Sequence, residues 1–186
     1  MDNSSTKTGV SAGIAQAIMA RSATVGVIGL GYVGLPLATA IARAGFPTIG
    51  FDIDVAKIHR LSSGTSYIDA VNSEYLSELV GKSRFRPTSE FIELKSCDVI
   101  IICVPTPLTR YREPDLSFVQ DTARVIARHL RVGQLVVLES TTFPGTTSEG
   151  SLRTPGSKQA RIFIWDFRRS GKIQAILIIG PTPYPR

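Results

Sequence analysis

Cysteine is scarce in these 186 residues: Cys97 and Cys103 are the only two, six positions apart around one apolar run. That spacing suits neither a zinc knuckle nor a CxxC redox pair, so both are expected to be core thiols of a protein kept in a reducing compartment. Long apolar runs are missing as well. No stretch reaches the roughly 20 residues of a membrane span. The opening MDNSSTKTGV has neither the basic nor the apolar part of a signal peptide. A soluble, cytoplasmic chain with no membrane partner is the resulting expectation. Acidic side chains are nearly absent from one end only. Residues 151–186 carry seven Lys/Arg against a single acid, Asp166, whereas residues 1–150 carry 14 of each sign. The net charge of +6 therefore sits entirely in the last 36 residues and gives no reason to expect a nucleic-acid partner for the rest. Internal repeats are absent, and the length suits one domain, not two.

What is present is an alternation of short apolar strands and amphipathic helices. Residues 12–21 can form a short helix leading into a strand at 23–29. Helical spacing over 32–45 stops at Gly45, a buried strand follows at 47–52, and a helix over 54–64 stops at Gly64. Residues 73–81 read as another helical turn or two, 84–96 as an edge strand and helix, and DVIIICVP (98–105) as the most apolar strand of the chain. Asp115 can cap a helix over 113–130, and QLVVLE (134–139) is a further buried strand. This order predicts a right-handed, doubly wound parallel α/β sheet.

Chemistry concentrates where the predicted strands end. Gly29, Gly31 and Gly34 stand in GxGxxG register between the first strand and a helix, with Leu30, Tyr32 and Val33 between them. The first glycine permits the tight turn, the second lets a pyrophosphate approach the backbone, and the third lets helix and strand pack closely; the helix N-terminus then faces the phosphate charge. Such a loop alone is weak, because glycine turns also arise for steric reasons. Asp52 strengthens it: it ends the next strand 23 residues after Gly29, where a carboxylate can accept both ribose hydroxyls of a dinucleotide. A carboxylate there also favours NAD over NADP, whose 2′-phosphate it would repel. Lys57 is either a solvated lysine or a ribose or phosphate contact. Thr106, held between two prolines at the end of the central strand, marks an ordinary strand exit or a hydroxyl facing a cofactor. ESTTFPGTT (139–147) follows the next strand in the same way, and its position, more than its hydroxyl-rich composition, points to function. Together these place an NAD site on a Rossmann-type sheet.

The motifs GLGYVGLPLA, GFDID followed by Lys57, SYI, IICVPTPL, EPDLS and LVVLESTTFPGTT, in that order over about residues 22–148, resemble the nucleotide-sugar (UDP-glucose/GDP-mannose type) 6-dehydrogenases. Within that family, PTPL and ESTTFPGTT look most like the branch acting on UDP-N-acetylmannosamine or UDP-N-acetylglucosamine. The resemblance implies that Gly29, Gly31, Val33 and Gly34 line the pyrophosphate, with Leu30 and Tyr32 also among the cofactor-binding residues. It places Asp52 and Lys57 at the adenosine ribose and Thr106 and Thr141 at the cofactor's inner side, Thr141 nearest the reacting carbon. It further implies a cytoplasmic enzyme of polysaccharide biosynthesis, homo-oligomeric at full length, that takes two hydrides from C6 of a UDP-sugar by way of an aldehyde and a cysteine-bound thioester. The nucleophilic cysteine of the family lies beyond the first domain; neither Cys97 nor Cys103 matches its motif. A non-catalytic nucleotide-binding module that keeps the fold is the alternative from a different class. A hydroxyacid-dehydrogenase type of Rossmann enzyme shares only the glycine loop and Asp52.

The resemblance breaks after PGTT. Family members continue with a helix, a strand close to DFYLGFSPER and then EDPGN, whereas this chain has SLRTPGSKQARIFIWDFRRSG. Residues 160–178 can be encoded by a string that, read from its third base, gives KDFYLGFSPEREDPGNPD. Synonymous choices set mainly the first base of each recovered codon, so such a match is hard to reach by chance. The chain is accordingly expected to comprise an N-terminal extension (1–21), an NAD-binding Rossmann domain (22–148) incomplete at its C-terminal end, and a basic tail (149–186) read out of frame. The apolar RIFIW and AILIIG can still pair as strands or aggregate, with poor order otherwise.

Overall fold

The computed structural model describes residues 13–107, 110, 115, 117–131, 133–139, 164–166 and 175–178. Helical residues 13–19 (α1) precede strand β1 (Val25–Ile28), helix α2 (Gly34–Arg43), β2 (Thr48–Phe51), α3 (Val55–Ser62) and α4 (Ser73–Gly81). Strand β3 (Phe85–Thr88), a 3₁₀ turn (Phe91–Ser96), β4 (Val99–Ile102), α5 (Ser117–His129) and β5 (Leu135–Leu138) complete the expected alternation. Two short strands from the tail follow, β6 (Ile164–Asp166) and β7 (Ala175–Ile178).

The sheet order is β3-β2-β1-β4-β5-β7-β6. Its first five strands are all parallel, so every connection among them crosses over, and the central β1, β2 and β4 lie almost wholly buried between two layers. Alternate side chains serve opposite faces. Val25, Val27 and Val99 pack with Leu35 and Ala38 of α2, Leu61 of α3 and Leu76 of α4. Ile28, Ile100, Ile102 and Val136 turn the other way, against Leu94 of the 3₁₀ turn and Ile126 of α5. This is the doubly wound sheet the sequence predicts. Pro87 is accommodated because β3 is an edge strand, where a missing N–H breaks no ladder.

Helix ends follow local chemistry. Asp54 caps α3 by accepting from Ala56 and Lys57 N–H, and Asn72 caps α4 by accepting from Glu74 and Tyr75 N–H. Gly45 and Gly64, the expected stops, both follow the helices they close. Asp115 accepts the N–H of Ser117 at 2.9 Å, at the head of α5 as anticipated.

Beyond β5 the sheet departs from the parallel pattern. Strand β7 runs antiparallel to β5, and β6 antiparallel to β7, so of the two outcomes open to the apolar pieces of the tail the structure shows pairing. The expectation of poor order in the rest of the tail falls outside the described residues. Both cysteines are free and buried, as expected of core thiols. Burial pushes the Cys97 and Cys103 thiols up to about 12, with Asp98 and Glu139 respectively adding to it. No helix among the described residues is long and apolar enough to cross a membrane.

Candidate dinucleotide-binding site

Strands β1 and β4 are neighbours, and from their carboxyl ends the chain leaves toward opposite sides, from β1 to β2 and from β4 to β5. That switch point opens a crevice at the edge where open α/β sheets hold ligands. Gly29, Asp52 and Cys103 each follow directly on the strands that meet there, tied by Gly29 N–H to Phe51 O and Cys103 N–H to Ile28 O, both 2.8 Å.

The glycine loop is fixed by backbone proximity. Gly29 has φ +90°, and a Cβ on it would lie 2.8 Å from the Cys103 carbonyl oxygen. A Cβ on Gly34 would lie 1.8 Å from the Gly29 oxygen, so helix and turn touch there without any side chain between them. Gly31 differs: a Cβ there would meet nothing within 4 Å and would project into the open space over the loop. That is the space a diphosphate needs to reach the backbone.

Helix α2 opens on that space with neither a capping side chain nor an acid of its own. Its N-cap, Val33, makes no side-chain cap hydrogen bond, unlike Asp54 of α3 and Asn72 of α4, and its first turn holds no acid. The N–H groups of Gly31, Tyr32, Val33 and Gly34 have no protein partner among the described residues. Unpaired donors on the positive end of a helix form an anion site. Tyr32 and Val33 are exposed at the tip of the loop, while Leu30 is buried beneath it.

Asp52 is where expected and does more than expected. Its side chain is 8% exposed; Oδ2 accepts the N–H of Leu30 at 2.9 Å and Oδ1 the N–H of Asp54 at 3.0 Å. Each carboxylate oxygen has a second lone pair, so these bonds leave acceptor capacity for hydroxyls at the crevice. The carboxylate therefore ties the glycine loop to the end of β2. Sequence reasoning missed this role, because type and spacing give the position of Asp52 but not its backbone partners.

Lys57, left open by the sequence, stands with Nζ 3.6 Å from Asp52 Oδ2 and 37% exposed, a contact to the site that also reaches solvent. Thr106 is half-buried at the exit of β4, between Pro105 and Pro107. Thr141 and the rest of 140–147 lie outside the described residues. The sequence marks Tyr67 only as part of SYI, yet its hydroxyl donates to the Leu30 carbonyl at 2.5 Å.

A glycine turn at a switch point, an uncapped helix above it and a buried carboxylate at the end of β2 define a dinucleotide-binding domain of the Rossmann class. Residues 23–165 match the model of the UDP-glucose/GDP-mannose dehydrogenase family, NAD binding domain. The chain belongs to that family, and its cofactor is NAD. It is 37% identical over 126 residues to the UDP-N-acetyl-D-mannosamine dehydrogenase of Pyrococcus horikoshii, covering 67% of this chain and 30% of that one. It is 35% identical over 144 residues to the UDP-N-acetyl-D-glucosamine 6-dehydrogenase of Salmonella typhi, covering 77% and 33%. Among solved structures it is similar to the Pyrococcus horikoshii enzyme (TM-score 0.63, 36% identity, 68% of this chain and 30% of that one). A ternary complex of GDP-mannose dehydrogenase from Pseudomonas aeruginosa is also similar (TM-score 0.63, 30% identity, covering 67% and 30%). The chain thus spans about a third of the length of the curated relatives it matches.

Proposed function

We propose that this chain is the NAD-binding part of a cytoplasmic dehydrogenase that oxidises the C6 hydroxyl of a UDP-sugar, a UDP-N-acetylhexosamine, to the carboxylate with two NAD. The observation that carries this is the pairing of Gly31's open approach with the buried Asp52 carboxylate at one end of the crevice. NAD, when bound, supplies the hydride acceptor. The residues of this chain bind and orient it: the loop N–H groups meet the diphosphate, Asp52 and Lys57 the adenosine ribose, and Thr106 and Thr141 its inner side. Substrate class rests on the names of the relatives at 35–37% identity and on the PTPL and ESTTFPGTT motifs.

The nucleophilic cysteine is not among these residues in this reading, since Cys97 and Cys103 are buried in the sheet core. Residues 149–186 are read out of frame, which accounts for their lopsided charge and for the family strand recovered on shifting the frame at 160–178. The chain by itself binds NAD and does not complete turnover.

Calorimetry with NAD, beside NADH production from several UDP-sugars, tests the first part: NAD affinity with no NADH formed is expected. The gene tests the second. A reading-frame offset between codons 147 and 160 should restore FSPER, and the restored full-length protein should turn over a UDP-N-acetylhexosamine. A restored protein that binds NAD but oxidises no UDP-sugar points instead to a non-catalytic nucleotide-binding module. If no offset restores the strand, the out-of-frame tail is wrong.

A further inference from the structure

We propose that Tyr67 is a positioning residue of the dinucleotide site: a latch that holds the Leu30–Gly31 peptide so that its N–H faces the diphosphate. The inference rests on reading the loop as an NAD site.

A trans peptide is planar, with its carbonyl and N–H pointing in opposite directions. The carbonyl of Leu30 and the N–H of Gly31 belong to one such unit, and the described residues contain no cis peptide. Tyr67 donates its hydroxyl to the Leu30 oxygen. With the carbonyl held on that side, the Gly31 N–H must point the other way, and it has no protein partner among the described residues. A Cβ at Gly31 would find only open space, so a ligand can come up to this donor.

The latch is needed because Gly31 is a glycine. Rotating a peptide by half a turn changes ψ of the residue before it and φ of the residue after it, and glycine adopts either sign of φ with little penalty. Leu30 itself cannot move: its side chain is buried and its own N–H is held by Asp52 at 2.9 Å. Those anchors fix the preceding peptide and leave the Leu30–Gly31 unit free to turn. In the turned form a carbonyl oxygen faces the phosphate oxygens, which repels the ligand where an N–H attracts it.

Tyr67 is itself held firmly, on the connection between α3 and α4. Arg60 donates to the Ser66 carbonyl at 3.1 Å, and Ile68 on the other side is buried. The Arg60 guanidinium and the Lys57 ammonium lie over the Tyr67 ring at 5.7 and 5.8 Å, so the ring also joins the loop to the two cations of α3. Burial, then the charges of Asp52 and Asp54, push the Tyr67 hydroxyl pKa well above its usual value, so it remains a donor.

The test uses the whole chain and three ligands: NAD, ADP and adenosine, the last lacking any phosphate. Tyr67→Phe removes only the hydroxyl. One hydrogen bond to a neutral carbonyl predicts a loss of about fivefold in NAD and ADP affinity by calorimetry. Weak adenosine binding, read by ligand-observed NMR, should be unchanged. An unaltered ratio of ADP to adenosine affinity overturns the latch, and so does an equal loss for all three ligands, which is what a merely structural tyrosine would give. If the unmodified chain has no affinity for NAD, the reading of the site fails and takes the latch with it. Should Tyr67→Phe lose its cooperative unfolding transition, the exposed Arg60→Gln, which loosens the ring and leaves the hydroxyl, decides instead. A phosphate-selective loss of about twofold supports the latch, and an unchanged ratio overturns it.

Discussion

Replacing Asp52 with alanine removes an acceptor for Leu30 N–H at 2.9 Å, an acceptor for Asp54 N–H at 3.0 Å and the counter-charge 3.6 Å from Lys57. A buried donor left without its acceptor costs about 1–3 kcal/mol, and Leu30 N–H is that donor. Lys57 is 37% exposed, so losing its partner adds little. Folding stability should therefore fall by about 2 kcal/mol, lowering the midpoint of thermal unfolding by about 4–8 °C for a chain of this size. Binding should fall further, because the ribose hydroxyls lose a charged acceptor; one such bond is worth about 2 kcal/mol, or about thirtyfold in Kd. At an NAD concentration one hundred times the wild-type Kd, NAD stabilises the wild-type chain by about 2.7 kcal/mol and the variant by only about 0.9 kcal/mol. Unfolding followed by circular dichroism, with and without NAD, reads both effects in one experiment. The reasoning is refuted if NAD raises the midpoint of both proteins by the same increment, or if the variant without NAD unfolds at the wild-type temperature.

Gly34→Ala places a methyl group 1.8 Å from the Gly29 oxygen and should cost about 3 kcal/mol in urea unfolding, whereas Gly31→Ala meets no atom and should stay within about 0.5 kcal/mol while losing at least about tenfold in NAD affinity. Glu93 is held below its ordinary carboxylate range by the hydrogen bond from Arg86, against the opposing effect of burial. Because the folded-state pKa is the lower one, this contribution is complete above the unfolded carboxylate pKa and is lost as pH falls through the folded value. Glu93→Gln should thus lower stability at neutral pH, by less than about 1 kcal/mol since Arg86 is half exposed, and match the wild type in acid. Cys97 and Cys103, buried and with thiol pKa values near 12, should resist iodoacetamide in the native chain at pH 8 and react once it is unfolded; mass spectrometry counts the adducts.

The order of elements was legible because each strand and helix of the first 139 residues carries its own signal. DVIIICVP is apolar on both faces because β4 is covered on both, and Gly45 and Gly64 stop helices that end just before them. The direction of β7 was not legible, since apolar runs do not encode whether a strand joins a sheet parallel or antiparallel.

In the site, the sequence places the glycines and Asp52, residues whose type alone implies a role at a strand end. It cannot place the bonds that make the site work, because these run between backbone atoms and side chains far apart in the chain. Asp52 reaches the Leu30 N–H from 22 residues away and Tyr67 the Leu30 carbonyl from 37. Leu30 carries no functional side chain, yet both of its peptide groups are held, one from β2 and one from the α3–α4 connection. Grip on a diphosphate depends on which way an N–H points, and a GxGxxG pattern records only where glycine permits a choice of direction. The residues that make that choice therefore lie outside the pattern, and a loop with its glycines intact but without Asp52 and Tyr67 would keep the motif and lose the orientation.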